Sequence, residues 1–206
     1  VKGKAGERTL LASLMLSAPG PIVLGAALLA GRSATQLADF IRRTAELGAI
    51  VVSWAVYRTI AGWKQPNPAR QEKLERAANT SVGMAMLLSG AVMCLLALSG
   101  GDGAQGSVLP ALVIALPGAA TNFWFWLRYS RLSRGERDSI LTSQSQLYGA
   151  KTLVDLCVTA ALAVILIAPH SAAAAYVDLM GSLIVAAHLA AGGVRVLRRA
   201  GWVRAA

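Results

Sequence analysis

The sequence predicts an all-α fold: a polytopic membrane protein built as a six-transmembrane-helix bundle with both termini in the cytoplasm. Three observations predict it. Hydrophobic residues make up 55% of the 206-residue chain and the mean hydropathy is +0.54, more apolar surface than a soluble domain of this size encloses. Apolar runs of about 20 residues, the length that crosses a bilayer as a helix, recur along the chain. The basic residues gather in alternate connections between those runs, the pattern of cytoplasmic loops.

Each element can be justified in order. Lys2, Lys4 and Arg8 precede a first span over 9–30, which holds Pro19-Gly20-Pro21 near its middle. Proline removes a backbone donor, so this helix is expected to kink or break, either for packing or as the broken helix of a substrate path. The second span covers 33–60. A polar connection of mixed charge, 62–78, follows with Arg58, Lys64, Arg70, Glu72, Lys73, Glu75 and Arg76 in or beside it. The third span covers 79–98 and the fourth 107–127, where Pro110 and Pro117 predict a kink that serves packing. Arg128, Arg131, Arg134 and Arg137 lead into the fifth span, 139–168. The sixth covers 174–196 and is closed by Arg195, Arg198, Arg199 and Arg204. The remaining connections hold Arg32 as their only basic residue, so every basic cluster falls on one side. Trp63, Trp126, Tyr129 and Trp202 near the cytoplasmic ends and Tyr176 near the outer end fit an interfacial belt.

The composition also excludes functions. The net charge of +10 lies in loops rather than over a soluble surface, which reads as membrane topology and not as a nucleic-acid footprint. Cys94 and Cys157 stand alone in separate apolar runs and read as small apolar filler. His170 falls in an outer loop, and His188, inside the sixth span, reads as a packed histidine bonded to a backbone carbonyl, with a part in a proton path as the alternative. No nucleophile–base pair or ligand cluster in the loops suggests an enzyme. The expectation is one transmembrane domain over 1–206, with no cleavable leader and no sizeable domain outside the membrane.

The informative residues are charges inside the spans. Arg42 and Glu46 share one face of the second helix, and Lys151 and Asp155 one face of the fifth, each pair at i,i+4. A charge at the bilayer centre costs roughly 2.5–3.5 kcal/mol on insertion scales, so it persists with a partner or a task. Counted from the cytoplasmic ends, Glu46 and Lys151 both lie about 18 Å up, and Arg42 and Asp155 about 24 Å up. If the helices are neighbours, Glu46 faces Lys151 and Arg42 faces Asp155. Asp39 and Arg43 add a further i,i+4 pair, and Arg43 can reach Asp39 or Glu46. Tyr148, one turn before Lys151, is counted as a supporting residue.

At these residues the chain resembles the cation diffusion facilitator family: six-helix, usually dimeric transporters that export zinc and related divalent cations against protons. The family's second helix carries Asp-x-x-His/Asp-x-x-x-Asp after a Ser-rich start. Here Gly31 to Leu47 reads Gly-Arg-Ser-Ala-Thr-Gln-Leu-Ala-Asp-Phe-Ile-Arg-Arg-Thr-Ala-Glu-Leu. Asp39 matches the first position, Arg42 the ligand His/Asp, and Glu46 the final ligand Asp. On the fifth helix, Lys151 and Asp155 stand for the family's His-x-x-x-Asp. Asn122 resembles a polar position on the fourth helix, and Asp178 the Asp that opens the last helix. The resemblance implies a divergent member without the family's C-terminal cytoplasmic domain and without its His-rich loop.

The departures carry chemistry. Arginine stays protonated and cannot ligate a cation, and lysine ligates only after losing its proton. Glu46 and Asp155 are the only retained ligand-type residues, and Arg42 and Lys151 would neutralise them without metal. No bound cofactor is expected; zinc or a similar divalent cation is what the resemblance implies and what this site disfavours. The leading expectation is a cation-efflux-like transporter, possible proton coupling included, with its central site altered to Arg42, Glu46, Lys151 and Asp155. The alternative is a non-transporting structural or regulatory membrane subunit that keeps the fold with these charges as a permanent lock. The expected partners are membrane lipids and either a second copy or another membrane protein, and the expected location is a bacterial inner membrane.

Overall fold

The structure, a computed structural model, describes residues 3–30, 34–65, 67–98, 108–167 and 172–201. These form α1 (Lys4–Ser17), α2 (Pro19–Ala30), α3 (Ala34–Ala61), α4 (Pro68–Leu98), α5 (Val108–Glu136), α6 (Ser139–Ile167) and α7 (Ala172–Arg199), with no strand among the described residues. Arg32, His170 and Trp202 lie outside the described residues, as do the side chains of Pro110 and Asp178.

The first expected span is broken in two. α1 ends at Ser17 and α2 starts at Pro19, with Ala18 between them still in helical conformation at φ −62°, ψ −38°. Pro19 and Pro21 have no N–H to return to the carbonyls of Met15 and Ser17, so the ladder is cut there while the path of the chain continues. Pro117 behaves otherwise. It lies inside an α5 that runs unbroken from Val108 to Glu136, and Pro110 falls in the first turn, where the missing N–H costs no bond. The break expected of proline is therefore realised only in the first span.

Two boundaries differ from expectation for one reason. α4 starts at Pro68, so most of the expected 62–78 connection is helix. Asn67 caps it, its side-chain oxygen accepting from Arg70 N at 3.1 Å, with Pro68 at the first helical position. The polar turns hold themselves by i,i+4 pairs, Gln71 to Glu75 at 2.9 Å and Arg76 to Glu72 at 3.3 Å. α5 likewise continues past the apolar run to Glu136. Arg137 then takes a left-handed φ of 48°, and Asp138 caps α6 through Ile140 N at 2.9 Å and Leu141 N at 3.1 Å. Hydropathy marks where the bilayer ends; capping and side-chain pairs decide where the helix does.

α3, α4 and α6 meet at the centre, with α5 and α7 packed on α6, α7 also on α4, and α1 and α2 on α3. The core includes Leu10, Ile50, Tyr57, Val82, Met86, Phe125, Tyr129, Leu147, Tyr148 and Leu189. The α4–α7 seam is close. A Cβ at Gly193 would lie 2.9 Å from the carbonyl oxygen of Gly83, so only glycine lets these backbones approach. Outside, Ile22, Val23, Leu29, Leu95, Leu98, Leu156 and Ile167 are exposed, an apolar surface suited to lipid. Lys4–Ala26, Pro68–Leu98, Ser139–Val164 and Leu179–Arg199 are each long and apolar enough to cross a membrane. α3 carries Asp39, Arg42, Arg43, Glu46 and Arg58 within its length.

The contacts at one end bear on the alternation of the spans. Tyr57 donates to Glu136 Oε2 at 2.8 Å and to Gly3 O at 3.1 Å, and Gly3 N donates to Glu136 at 3.3 Å. Arg58 lies 3.9 Å from Glu7, and Ser139 Oγ donates to Glu75 at 2.6 Å. The start of α1, the ends of α3 and α5, and the starts of α4 and α6 therefore share one end of the bundle, here called the basic end.

Candidate functional site

α3, α4, α5 and α6 each contribute polar side chains to a buried cluster in the middle of the bundle. Glu46 on α3 is at its centre, with a side chain only 3% exposed. Lys151 Nζ on α6 approaches Glu46 Oε2 to 3.4 Å, and Arg42 Nη1 approaches Oε1 to 3.4 Å. Ser89 on α4 donates its hydroxyl to the same Oε1 at 3.0 Å. One carboxylate thus takes donors from three helices, which is how a buried charge is tolerated.

Arg42 spends most of its fork on its own helix. Its Nη2 lies 2.6 Å and its Nε 3.1 Å from Asp39 Oδ1, a two-pronged bond to one oxygen. Arg43 Nε bonds Asp39 Oδ2 at 2.8 Å. Exposure rises along this row, from 3% at Glu46 through 29% at Asp39 to 47% at Arg43. The cluster is sealed on the basic side and less covered on the other. Gly20, the second residue of α2 just after the break, lies beside Arg43, whose Cδ would be 3.6 Å from a Cβ there. The broken helix therefore flanks the less covered side of the cluster.

Asp155 stands apart. The expected Arg42–Asp155 ion pair is not formed: among the described residues Asp155 has no ion-pair partner within 4.0 Å, and Asn122 Nδ2 on α5 donates to it at 2.7 Å. Lys151 and Arg42 remain within electrostatic reach of Asp155. Arg42 has Asp39 at i−3 and Glu46 at i+4 within bonding distance on one helix, and a rigid guanidinium fork satisfied there does not extend across to α6. Lys151 Nζ also sits 4.9 Å from the centre of the Tyr148 ring, a cation–π contact. Tyr148 OH in turn lies 3.2 Å from Ser17 Oγ at the end of α1.

Below the cluster, toward the basic end, aromatic rings fill the bundle. Tyr148 packs 5.2 Å from Phe125 and 5.3 Å from Tyr129, and Tyr129 OH lies 2.7 Å from Ser13 Oγ. Buried Gln144 donates to Ser53 at 2.8 Å beside them. These rings separate the charges from the basic end.

The structure brings together Asp39, Arg42, Arg43, Glu46, Lys151 and Tyr148, and places Asn122 with Asp155. Asp178 is on α7, its side chain outside the described residues. His188 is exposed and makes no hydrogen bond among the described residues, so the expected bond to a backbone carbonyl is absent. Ser89 was missed because an isolated serine in an apolar helix ordinarily returns its hydroxyl to its own backbone and gives no signal of a distant partner. Asp39, Arg42, Arg43, Glu46, Lys151 and Asp155 sum to zero charge when all are ionised. Among the described residues no group of three or more His, Cys, Asp or Glu side chains is placed to hold a metal ion.

The fold and this cluster define a helical integral membrane protein with ionised side chains buried between its helices. The family profile of the cation efflux transmembrane domain matches residues 10–201 of the chain. The protein belongs to that family, a family of membrane transporters. A comparison with curated proteins returns no match.

Proposed function

We propose that this protein is a cation-efflux-type transporter whose central site holds its own cations, Arg42 and Lys151, where relatives would hold a divalent ion. Glu46 and Asp155 are the ion- or proton-accepting groups, Arg42 is a fixed counter-charge, and Lys151 is the movable one. The observation that carries this reading is the 3.4 Å approach of Lys151 to Glu46 across two helices, at a level flanked by the broken first span. Lysine is a compact charge on a flexible stem and exchanges partners more readily than arginine. The charge balance disfavours ordinary zinc coordination, because no vacant double negative charge remains to bind it. Residues 1–206 act as one membrane domain, with both ends of this stretch on the cytoplasmic side. A homodimer in a bacterial inner membrane is the assembly that fits this family.

The test is ion flux in proteoliposomes. Native protein is expected to move cations or protons, and Glu46→Gln to abolish flux while the bundle stays folded. A second reading has one observation in its favour: Glu46 is already satisfied by Lys151, Arg42 and Ser89, which suits a permanent structural lock. Absence of flux with every ion tried, together with recovery of stability when the charges of residues 46 and 151 are exchanged, would favour that lock.

A further inference from the structure

A cleft on the outside of the bundle has a chemistry that the ion cluster does not use. α5 and α7 both pack on α6, and between them an open-sided cleft of about 400 Å³ is floored by α6. That volume is in the range of small-molecule sites, about 300–1,000 Å³. From Ser145 to Leu156 the floor rises about 16 Å at 1.5 Å per residue, roughly half of the ~30 Å hydrocarbon core. The cleft is as long as one leaflet is thick.

Its two ends differ. Leu153 and Leu156 line the half nearer the bilayer centre, with Thr152 and His188 beside them. Ser145, Gln146 and Arg195 line the half nearer the basic end. Arg195 is exposed, its Nε donates to Ala191 O at 3.3 Å, and it has no ion-pair partner among the described residues. Gln146 lines the same half. A cation at the membrane surface with no acid of its own attracts an anionic headgroup.

We infer that this cleft holds one anionic phospholipid of the leaflet at the basic end, with its phosphodiester at Arg195 and an acyl chain along Leu153 and Leu156. The charge at one end and the leucines toward the other match the two parts of that molecule, and the cleft as a whole has the length of one leaflet. A second copy of the chain would cover the apolar half but would have to supply an acid for Arg195.

The experiment is native mass spectrometry of delipidated full-length protein titrated with phosphatidylglycerol or phosphatidylcholine. One phosphatidylglycerol per chain is expected to bind about tenfold more tightly than phosphatidylcholine, a typical consequence of about 1.4 kcal/mol. Arg195→Gln is expected to erase that preference. Arg198→Gln, a basic change outside the cleft lining, is expected to preserve the preference. Equal binding of the two lipids by the native chain overturns the proposal, as does an equal loss in Arg198→Gln and Arg195→Gln. A lipid-independent dimer lost in Arg195→Gln would assign the cleft to a second copy instead.

Discussion

Glu46 shows what a single residue demands inside a bilayer. Buried at 3% exposure, it is held by Lys151, Arg42 and Ser89. Removing one partner of a buried ion pair typically costs about 3–5 kcal/mol, because the other charge is left uncompensated. Lys151→Met should therefore lower the thermal midpoint in detergent clearly, and Glu46→Gln combined with Lys151→Met should recover most of the loss. Ser89→Ala removes one hydrogen bond to a charged group, worth about 1.5–3 kcal/mol, and a smaller fall in the same midpoint is expected. The level at which Glu46 meets Lys151 is legible in the sequence, because depth along a helix is linear in residue number. The partner of Arg42 is not legible in the same way. Asp39 at i−3 and Asp155 on another helix are both plausible by charge, and only the direction of the side chain decides between them.

At the scale of elements, the spans are legible and their ends are less so. Hydropathy finds the apolar part of α4 but not its start at Pro68, which depends on the Asn67 cap and on the i,i+4 pairs of a polar surface. Proline is a sign of interruption only where its missing bond falls mid-helix; consecutive lesions at Pro19 and Pro21 cut the first span, whereas Pro117 alone is absorbed in α5. The close α4–α7 seam is hidden from single-sequence reasoning, since glycines contribute no polarity and their facing partners are distant in the chain. It makes a sharp prediction. Gly193→Leu puts a side chain where a Cβ already lies 2.9 Å from the Gly83 carbonyl, so it should sharply reduce the yield of folded protein by size-exclusion chromatography. Gly118→Ala, with nothing within 4 Å of the added carbon, should leave that yield unchanged or raise it.

For the whole molecule, the alternation of basic and uncharged connections is the strongest sequence signal. It depends on counting spans rather than on placing any side chain. The hydrogen bonds among Gly3, Tyr57 and Glu136 and between Ser139 and Glu75 tie five helix ends together at one face. Single cysteines at Arg70→Cys and Arg134→Cys, each in a chain with Cys94 and Cys157 replaced by alanine, should be labelled by an impermeant maleimide from the same side of sealed vesicles. A cysteine placed in the 99–106 connection should be labelled from the opposite side. Labelling of positions 70 and 134 from different sides would remove the six-span topology and the positive-inside orientation with it.

The glycine seam also fixes which parts of the bundle can change places. The close approach at Gly83 and Gly193 opposes sliding of α4 against α7, so the two helices are expected to move as one body. Ser89 belongs to that body, whereas its acceptor Glu46 belongs to α3. The hydrogen bond between them therefore crosses from that pair of helices to α3, and a displacement of α3 against the pair is expected to change the solvation of Glu46.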